Sequence, residues 1–139
     1  MIYLDASVIV AIIVDEPCSP RARSWINGLS DWPILSGFVA AEVAAALSRG
    51  LPTRPFSEAQ ARAALDDLDS LRVDCENFWP DAETFAATES LVRDFRLKLS
   101  APDALHLASA VTASASIATF DARLAEAARA IGVEVEMLV

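Results

Sequence analysis

Met1-Ile-Tyr-Leu-Asp5-Ala-Ser7-Val-Ile-Val10 opens the chain, and the reading of this stretch decides the fold. Ile2, Tyr3 and Leu4 make a short run that is apolar on both faces. Such a run suits a central parallel strand covered by helices on both sides. In open sheets of that kind ligands bind beyond the carboxyl ends of the strands, which is where Asp5 would stand. Ser7 offers a hydroxyl two residues on, placed to cap the helix that follows. An Asp after a strand also starts turns, so Asp5 acquires meaning only if other carboxylates are sent to the same place.

With 139 residues the chain fits one domain spanning 1–139, long enough for a substantial core. A hydrophobic fraction of 54% with only 4 Gly points to an Ala-rich, helix-heavy α/β protein. Residues 2–14 are mostly apolar, but Asp5 and Ser7 interrupt a run too short to cross a bilayer. No membrane partner is expected. The opening also lacks a positively charged segment and a small-residue cleavage pattern, so a cytosolic protein without a signal peptide is expected. Cys18 and Cys75 have no metal-ligand spacing and read as reduced, structural thiols. The net charge of −9 argues against a nucleic-acid partner at first sight, although a local basic rim can act on an otherwise acidic surface. Lys98 is the sole Lys beside ten Arg, which disfavours phosphotransfer sites built on Lys.

Strand and helix signals alternate along the chain. Val8–Val14 reads as a short helix, and Ser19-Pro20 as the N-cap and first turn of a second helix that Gly28 ends. Trp25 and Trp32 read as packing residues. Pro33–Ser36 is a second strand, and Phe38–Leu47 a helix apolar nearly all round. Gly50–Pro55 is a loop, and Ser57-Glu-Ala-Gln60 a capping box opening a helix with Ala61, Ala64, Leu65, Leu68 and Leu71 inward. The acidic run Asp66-Asp67-x-Asp69 reads as a solvated face of that helix. A third strand is expected over Val73–Phe78, then a helix from Pro80 to Leu97 with Phe85, Val92 and Phe95 inward. Pro102 starts another helix through an apolar run from Ala104 to Val111. Ser116–Asp121 is a strand, Asp121 caps a helix over Ala122–Ile131, Gly132 stops it, and Val133–Met137 is a one-faced edge strand. The alternation predicts a three-layer α/β/α sandwich on a mainly parallel sheet.

Four acids fall at one edge of that sheet. Asp5 and Asp121 follow strands, Asp103 opens a helix, and Glu42 sits inside the apolar helix after the second strand. Helix-start acids have a capping explanation, and Ser100-x-x-Asp103 is itself a capping box. Glu42 has no such excuse: its helical neighbours are Phe38, Val39, Ala45 and Ala46, and a buried, unpaired carboxylate is costly unless something cationic meets it. His106, the sole His, lies one turn beyond Asp103 and reads as a hydrogen-bonded structural partner. Crowded carboxylates repel without a cation, and oxygen-only ligands favour Mg²⁺ or Mn²⁺. Phosphodiester hydrolysis is the chemistry that most needs such a site, to activate water and stabilise the leaving oxygen.

Leu-Asp5-Ala-Ser7, Ala-Ala-Glu42-Val, Pro-Asp103-Ala-x-x-x-Ala108, Ala-Thr119-Phe-Asp121 and the closing Gly132-Val-Glu-Val together resemble a PIN-domain ribonuclease, of the VapC-type toxins of type II toxin–antitoxin pairs. The resemblance spans essentially the whole chain and rests on the order and spacing of the motifs. It implies Mg²⁺- or Mn²⁺-dependent endonucleolytic cleavage of structured RNA such as transfer RNA. Asp5, Glu42, Asp103 and Asp121 would hold the metal or position the attacking water, and Ser7 and Thr119 would orient those carboxylates. It further implies a small cognate antitoxin that covers the active-site groove, a homodimer, and DNA contact only through the antitoxin. Arg49, Arg54, Arg93, Arg96 and Lys98 are candidates for an RNA-contacting rim.

Two other classes fit acids at strand ends. Receiver and haloacid-dehalogenase-like phosphotransfer domains use them as phosphoacceptors, but need a Lys near the phosphoryl group, and the second needs an Asp where this chain has Ser7. A non-catalytic protein-binding module could use the acidic pocket to grip a partner's Arg.

Overall fold

The computed structural model describes residues 1–50 and 55–139. Five strands, β1 (Ile2–Leu4), β2 (Pro33–Ser36), β3 (Glu76–Phe78), β4 (Ser116–Thr119) and β5 (Val135–Met137), form one sheet in the order β3-β2-β1-β4-β5. Every neighbouring pair is parallel, with Tyr3 opposite Ile34 on one side and Ile117 on the other. The seven helices are α1 (Ala6–Ile13), α2 (Ser19–Asn27), α3 (Gly37–Arg49), α4 (Glu58–Val73), α5 (Ala82–Arg93), α6 (Ala101–Thr112) and α7 (Ala122–Ala130). Helices α1 to α4 pack among themselves, and α5 packs on α6, which reaches α7. They cover the two faces of the sheet and give the expected three-layer sandwich, with the sheet parallel throughout.

The double-sided burial expected of β1 holds: Ile2, Tyr3 and Leu4 are at most 1% exposed. Ile9, Ile34, Leu35, Val39, Val43, Leu107, Ile117 and Leu124 close around them. Each such side chain contributes about 1.5–3 kcal/mol by leaving water. Because β1 and β4 are neighbours whose following connections lead to opposite sides, the strand order reverses between them. Their carboxyl ends flank a crevice of the kind in which α/β sheets bind ligands.

Several local expectations need correction. Helix α4 runs to Val73, and Asp74 and Cys75 turn back on Leu71 and Arg72, so β3 begins only at Glu76. Helix α5 starts after Asp81, whose carboxylate accepts from the Thr84 N–H and hydroxyl, and it ends at Arg93, with Asp94 as C-cap. Its inward face carries Thr84 and Thr88, while Phe85 and Phe95 stand 55% and 85% exposed. The hydroxyls win the buried face because each has a local acceptor, Thr88 donating to the Thr84 carbonyl. Ser19 does not cap α2; its hydroxyl donates to the Val14 carbonyl and accepts from the Glu16 N–H, tying the α1–α2 link. Trp25 packs against the core and donates to Glu136, but Trp32 is exposed.

Other expectations hold. Ser57 and Gln60 form the reciprocal capping box, Asp66, Asp67 and Asp69 are solvated, and Gly132 takes a left-handed φ of 82° where α7 stops. Both cysteines are free thiols. The loop expected over Gly50–Pro55 lies, at residues 51–54, outside the described residues, and with it Arg54. Among the described residues no helix is long and apolar enough to cross a membrane.

Candidate active site

Asp5 occupies the N-cap position of α1, yet its carboxylate makes no capping bond. Its backbone continues the sheet instead, the Asp5 N–H donating to the Ala118 carbonyl. Oδ2 accepts from the Ser7 hydroxyl at 2.6 Å and the Thr119 hydroxyl at 2.7 Å. Ser7, expected to cap the helix, holds this carboxylate and accepts from the Phe120 N–H; Thr119 accepts from the Asp121 N–H. Two hydroxyls thus lace the end of β1 to the end of β4 through one carboxylate. Only 6% of Asp5 is exposed, so a side chain with a surface alternative is held inside.

Glu42 comes to the same place from α3. Ser36 caps that helix with its hydroxyl accepting from the Val39 N–H, which sets the phase that turns Glu42 toward α6. The cation its burial demands is His106. Glu42 Oε2 lies 2.6 Å from His106 Nε2, and Asp5 Oδ1 lies 3.6 Å from the same nitrogen. Nδ1 is 3.0 Å from the Tyr3 hydroxyl, which donates to Ser36. Two carboxylates facing the same ring nitrogen favour the protonated ring. Burial works against this charge, but the Glu42 contact and the negative fields of Asp5, Glu42 and Asp103 outweigh it, so the His106 pKa stands above its ordinary value. Burial pushes the Tyr3 hydroxyl far up, and it stays protonated. The Phe38 ring closes the far side, 5.3 Å between centroids.

Asp103 and Asp121 stand at the rim. Ser100 caps α6 by accepting from the Asp103 N–H, but the expected box does not close: the Asp103 carboxylate accepts from the Ser100 hydroxyl at 2.7 Å and not from its backbone N–H. Asp121 Oδ1 accepts from the Arg123 and Leu124 N–H groups. Each rim acid therefore spends one oxygen on its own helix; the other has no hydrogen bond among the described residues. Beside Glu42 and Ser7 a groove of about 730 Å³ opens between α1, α3, Pro102 and Phe120, with mostly apolar walls and Arg49 on its lining.

Among the described residues no three His, Cys, Asp or Glu side chains converge into a ready-made metal cage. The donor set nevertheless fits Mg²⁺ or Mn²⁺. Magnesium is commonly held by one or two carboxylates, with water and substrate phosphate completing the shell. Glu42 Oε2 is taken up by His106, whereas Glu42 Oε1 and Asp5 Oδ1 accept no hydrogen bond among the described residues, so each carboxylate keeps one oxygen with unspent capacity beside the crevice.

The structure thus brings Asp5, Glu42, Ser7 and Thr119 together, and sets Asp103 and Asp121 on the two helix starts beside them. Sequence reasoning passed over Tyr3 and Ser36 as members of the site. Their signal was weak: a Tyr in a fully buried strand needs a partner for its hydroxyl. Lys98 lies between α5 and α6 and follows no strand, which leaves a phosphoacceptor site without its usual cation.

The PIN domain family model matches residues 2–130. No curated protein matches the sequence. Among solved structures the chain is similar to FitAcB from Neisseria gonorrhoeae, with a TM-score of 0.75 at 22% identity over 97% of this chain and 96% of that one. It is similar to VapC20 of Mycobacterium tuberculosis, a sarcin-ricin loop cleaving toxin, with a TM-score of 0.72 at 18% identity over 96% of each chain. DNA-bound VapBC from Salmonella typhimurium gives a TM-score of 0.75 at 16% identity over 99% of this chain and 98% of that one. At these identities the structural likeness concerns the fold; the family match, over nearly the whole length, shows that the chain belongs to the PIN-domain family.

Proposed function

We propose that this protein is a metal-dependent endoribonuclease, the toxin of a VapC-type toxin–antitoxin pair, working as one domain in the cytosol. The observation that carries the reading is Asp5: it stands at a helix N-cap but is pulled off that duty by Ser7 and Thr119. A carboxylate kept from capping, buried, and set beside a second, half-buried carboxylate at the reversal of strand order is built to receive a cation. Membership of the PIN-domain family supports a nuclease.

Asp5 and Glu42 would hold Mg²⁺ or Mn²⁺, whose charge neutralises the scissile phosphate and polarises the attacking water. Ser7 and Thr119 fix the rotamer of Asp5, so its reacting oxygen needs no reorganisation. His106 sets Glu42 against α6 and supplies the counter-charge that lets two carboxylates share the crevice. The free oxygens of Asp103 and Asp121 would orient water and take up its proton. Structured RNA, transfer RNA foremost, is the substrate class; a small antitoxin covering the apolar groove beside Glu42, a homodimer, and DNA contact through the antitoxin complete the proposal.

The test is incubation of labelled total transfer RNA with the protein in Mg²⁺, Mn²⁺ or EDTA. Discrete fragments formed only with metal are expected. Intact RNA under all three conditions, together with undiminished growth of cells expressing the protein, would overturn the reading.

A further inference from the structure

Beyond the acidic crevice, a second concavity of about 620 Å³ lies between the α5–α6 connection and α7. Its lining includes Arg96, Lys98, Arg123 and Glu126. The geometry points to this groove as the phosphate track that holds the RNA strand beside the cleft, with Lys98 and Arg123 as its contacts; the inference rests on the nuclease reading above.

Position is the first argument. Arg123 follows Asp121 by two residues and gives its backbone N–H to that carboxylate, and Lys98 precedes by two the Ser100 that binds Asp103. The groove therefore starts where both rim acids are anchored. It continues along α7 on one face, residues 123, 126, 127 and 130, at helical spacing. A strand whose scissile phosphate sits among the acids would find these cations under its neighbouring phosphates.

Local physics supplies the second argument, because neither cation is where stability would put it. Arg123 lies in the first turn of α7, where the helix dipole disfavours positive charge. Lys98 holds a left-handed φ of 51°, a conformation that suits Gly or Asn and strains most other side chains. Among the described residues neither has an ion-pair partner, whereas Arg96 in the same groove is held by Asp94. Two residues that break a local rule and line one groove mark a site where function was favoured over stability. For a chain of net charge −9, a polyanion needs such a local patch.

The experiment uses the double variant Lys98→Asn/Arg123→Gln, in which Asn tolerates the left-handed backbone, beside Arg21→Gln/Arg72→Gln as a charge-matched control. Binding of a labelled oligouridylate by fluorescence anisotropy is followed against salt in the Asp5→Asn background, and transfer RNA cleavage in the active protein. The groove variant should bind more weakly, with a slope of log affinity against log salt reduced by about 1.4, two single-strand phosphate contacts. KM should rise while kcat stays within about twofold, and the thermal midpoint should hold or rise. A salt slope and KM matching the control overturn the inference and leave the nuclease standing. A fall in thermal midpoint large enough to explain the loss makes the two residues structural, which also overturns it. If the variant keeps its RNA slope but loses capture of a partner protein, the groove is a protein contact instead. Should the parent neither bind nor cleave RNA, the nuclease reading itself falls.

Discussion

Cutting the imidazole from His106 tests whether Glu42 is held in the crevice by charge or only enclosed by packing. In His106→Ala the Glu42 carboxylate loses its 2.6 Å partner, and the Tyr3 hydroxyl loses one of its partners while keeping Ser36 and Ser109. His106 is 2% exposed among Tyr3, Phe38 and the rest of α6, so the ring also leaves a cavity costing about 2–4 kcal/mol. The charged contact is worth about 1.5–3 kcal/mol when desolvated. The Glu42 side chain retains 28% of its surface, so screening brings the expected coupling to about 1–2 kcal/mol. Urea unfolding of wild type, His106→Ala, Glu42→Ala and the double variant in EDTA isolates that coupling. Its pH dependence carries a sign. The His106 pKa is raised by folding above its ordinary 6.5, so the protonated ring stabilises the fold fully below that value, and the contribution is lost as pH rises through the folded pKa. The coupling should therefore be full below about pH 6 and shrink as the pH is raised above it. Additivity of the single variants within about 0.5 kcal/mol at the lower pH, or a coupling that grows with pH, would refute the ion-pair account.

Thr119→Val preserves shape but strips Asp5 of one donor and the Asp121 N–H of its acceptor. It should cost about 1–3 kcal/mol in unfolding free energy and about 10–100-fold in RNA cleavage; unchanged cleavage would remove Thr119 from the site. Asp121→Asn should keep α7 capped and the melting curve in place while cleavage falls; Asp121→Ala should add a loss of about 1 kcal/mol from the missing cap. Growth arrest on expression should disappear in Asp103→Asn, and persistent toxicity there would detach the arrest from catalysis. Cys75 is buried and its thiol is pushed up to about 11, so at pH 8 a maleimide should label Cys18 alone until denaturant is added. Equal labelling rates in the native protein would contradict the packing of Cys75 under α4.

Much of the architecture was legible because it rests on short-range signals. Three apolar residues ending in Asp5, the Pro-led start of α6 and the Gly132 stop each announce themselves locally, and their alternation implies the parallel sandwich. Where long-range packing decides, local reading failed. Phe85 and Phe95 were expected inward by hydrophobicity, yet Thr84 and Thr88 take the buried face because their hydroxyls find acceptors within the same helix turn. Val73 was expected in a strand, but α4 carries its ladder through it. In the site, burial of Glu42 could be read from its apolar neighbours and the need for a cation followed. That His106 meets it could not be read, since the pair is set by how α3 and α6 lie across the end of β1. For Ser7 the local signal is that of a helix cap, and only the family resemblance points its hydroxyl at the carboxylates; its tie to β4 through the Phe120 N–H is set by packing.

The central claim is that Asp5 is a carboxylate kept for chemistry and not for the fold. Asp5→Asn keeps one oxygen able to accept from both Ser7 and Thr119 and loses only the charge. The decisive measurement is cleavage of transfer RNA in Mg²⁺ by this variant, beside its thermal unfolding in EDTA. The account predicts a loss of cleavage by about three orders of magnitude or more, with a melting temperature within a few degrees of wild type. A variant that unfolds would make Asp5 a structural tie between β1 and β4, and one that cleaves at the wild-type rate would place the chemistry elsewhere.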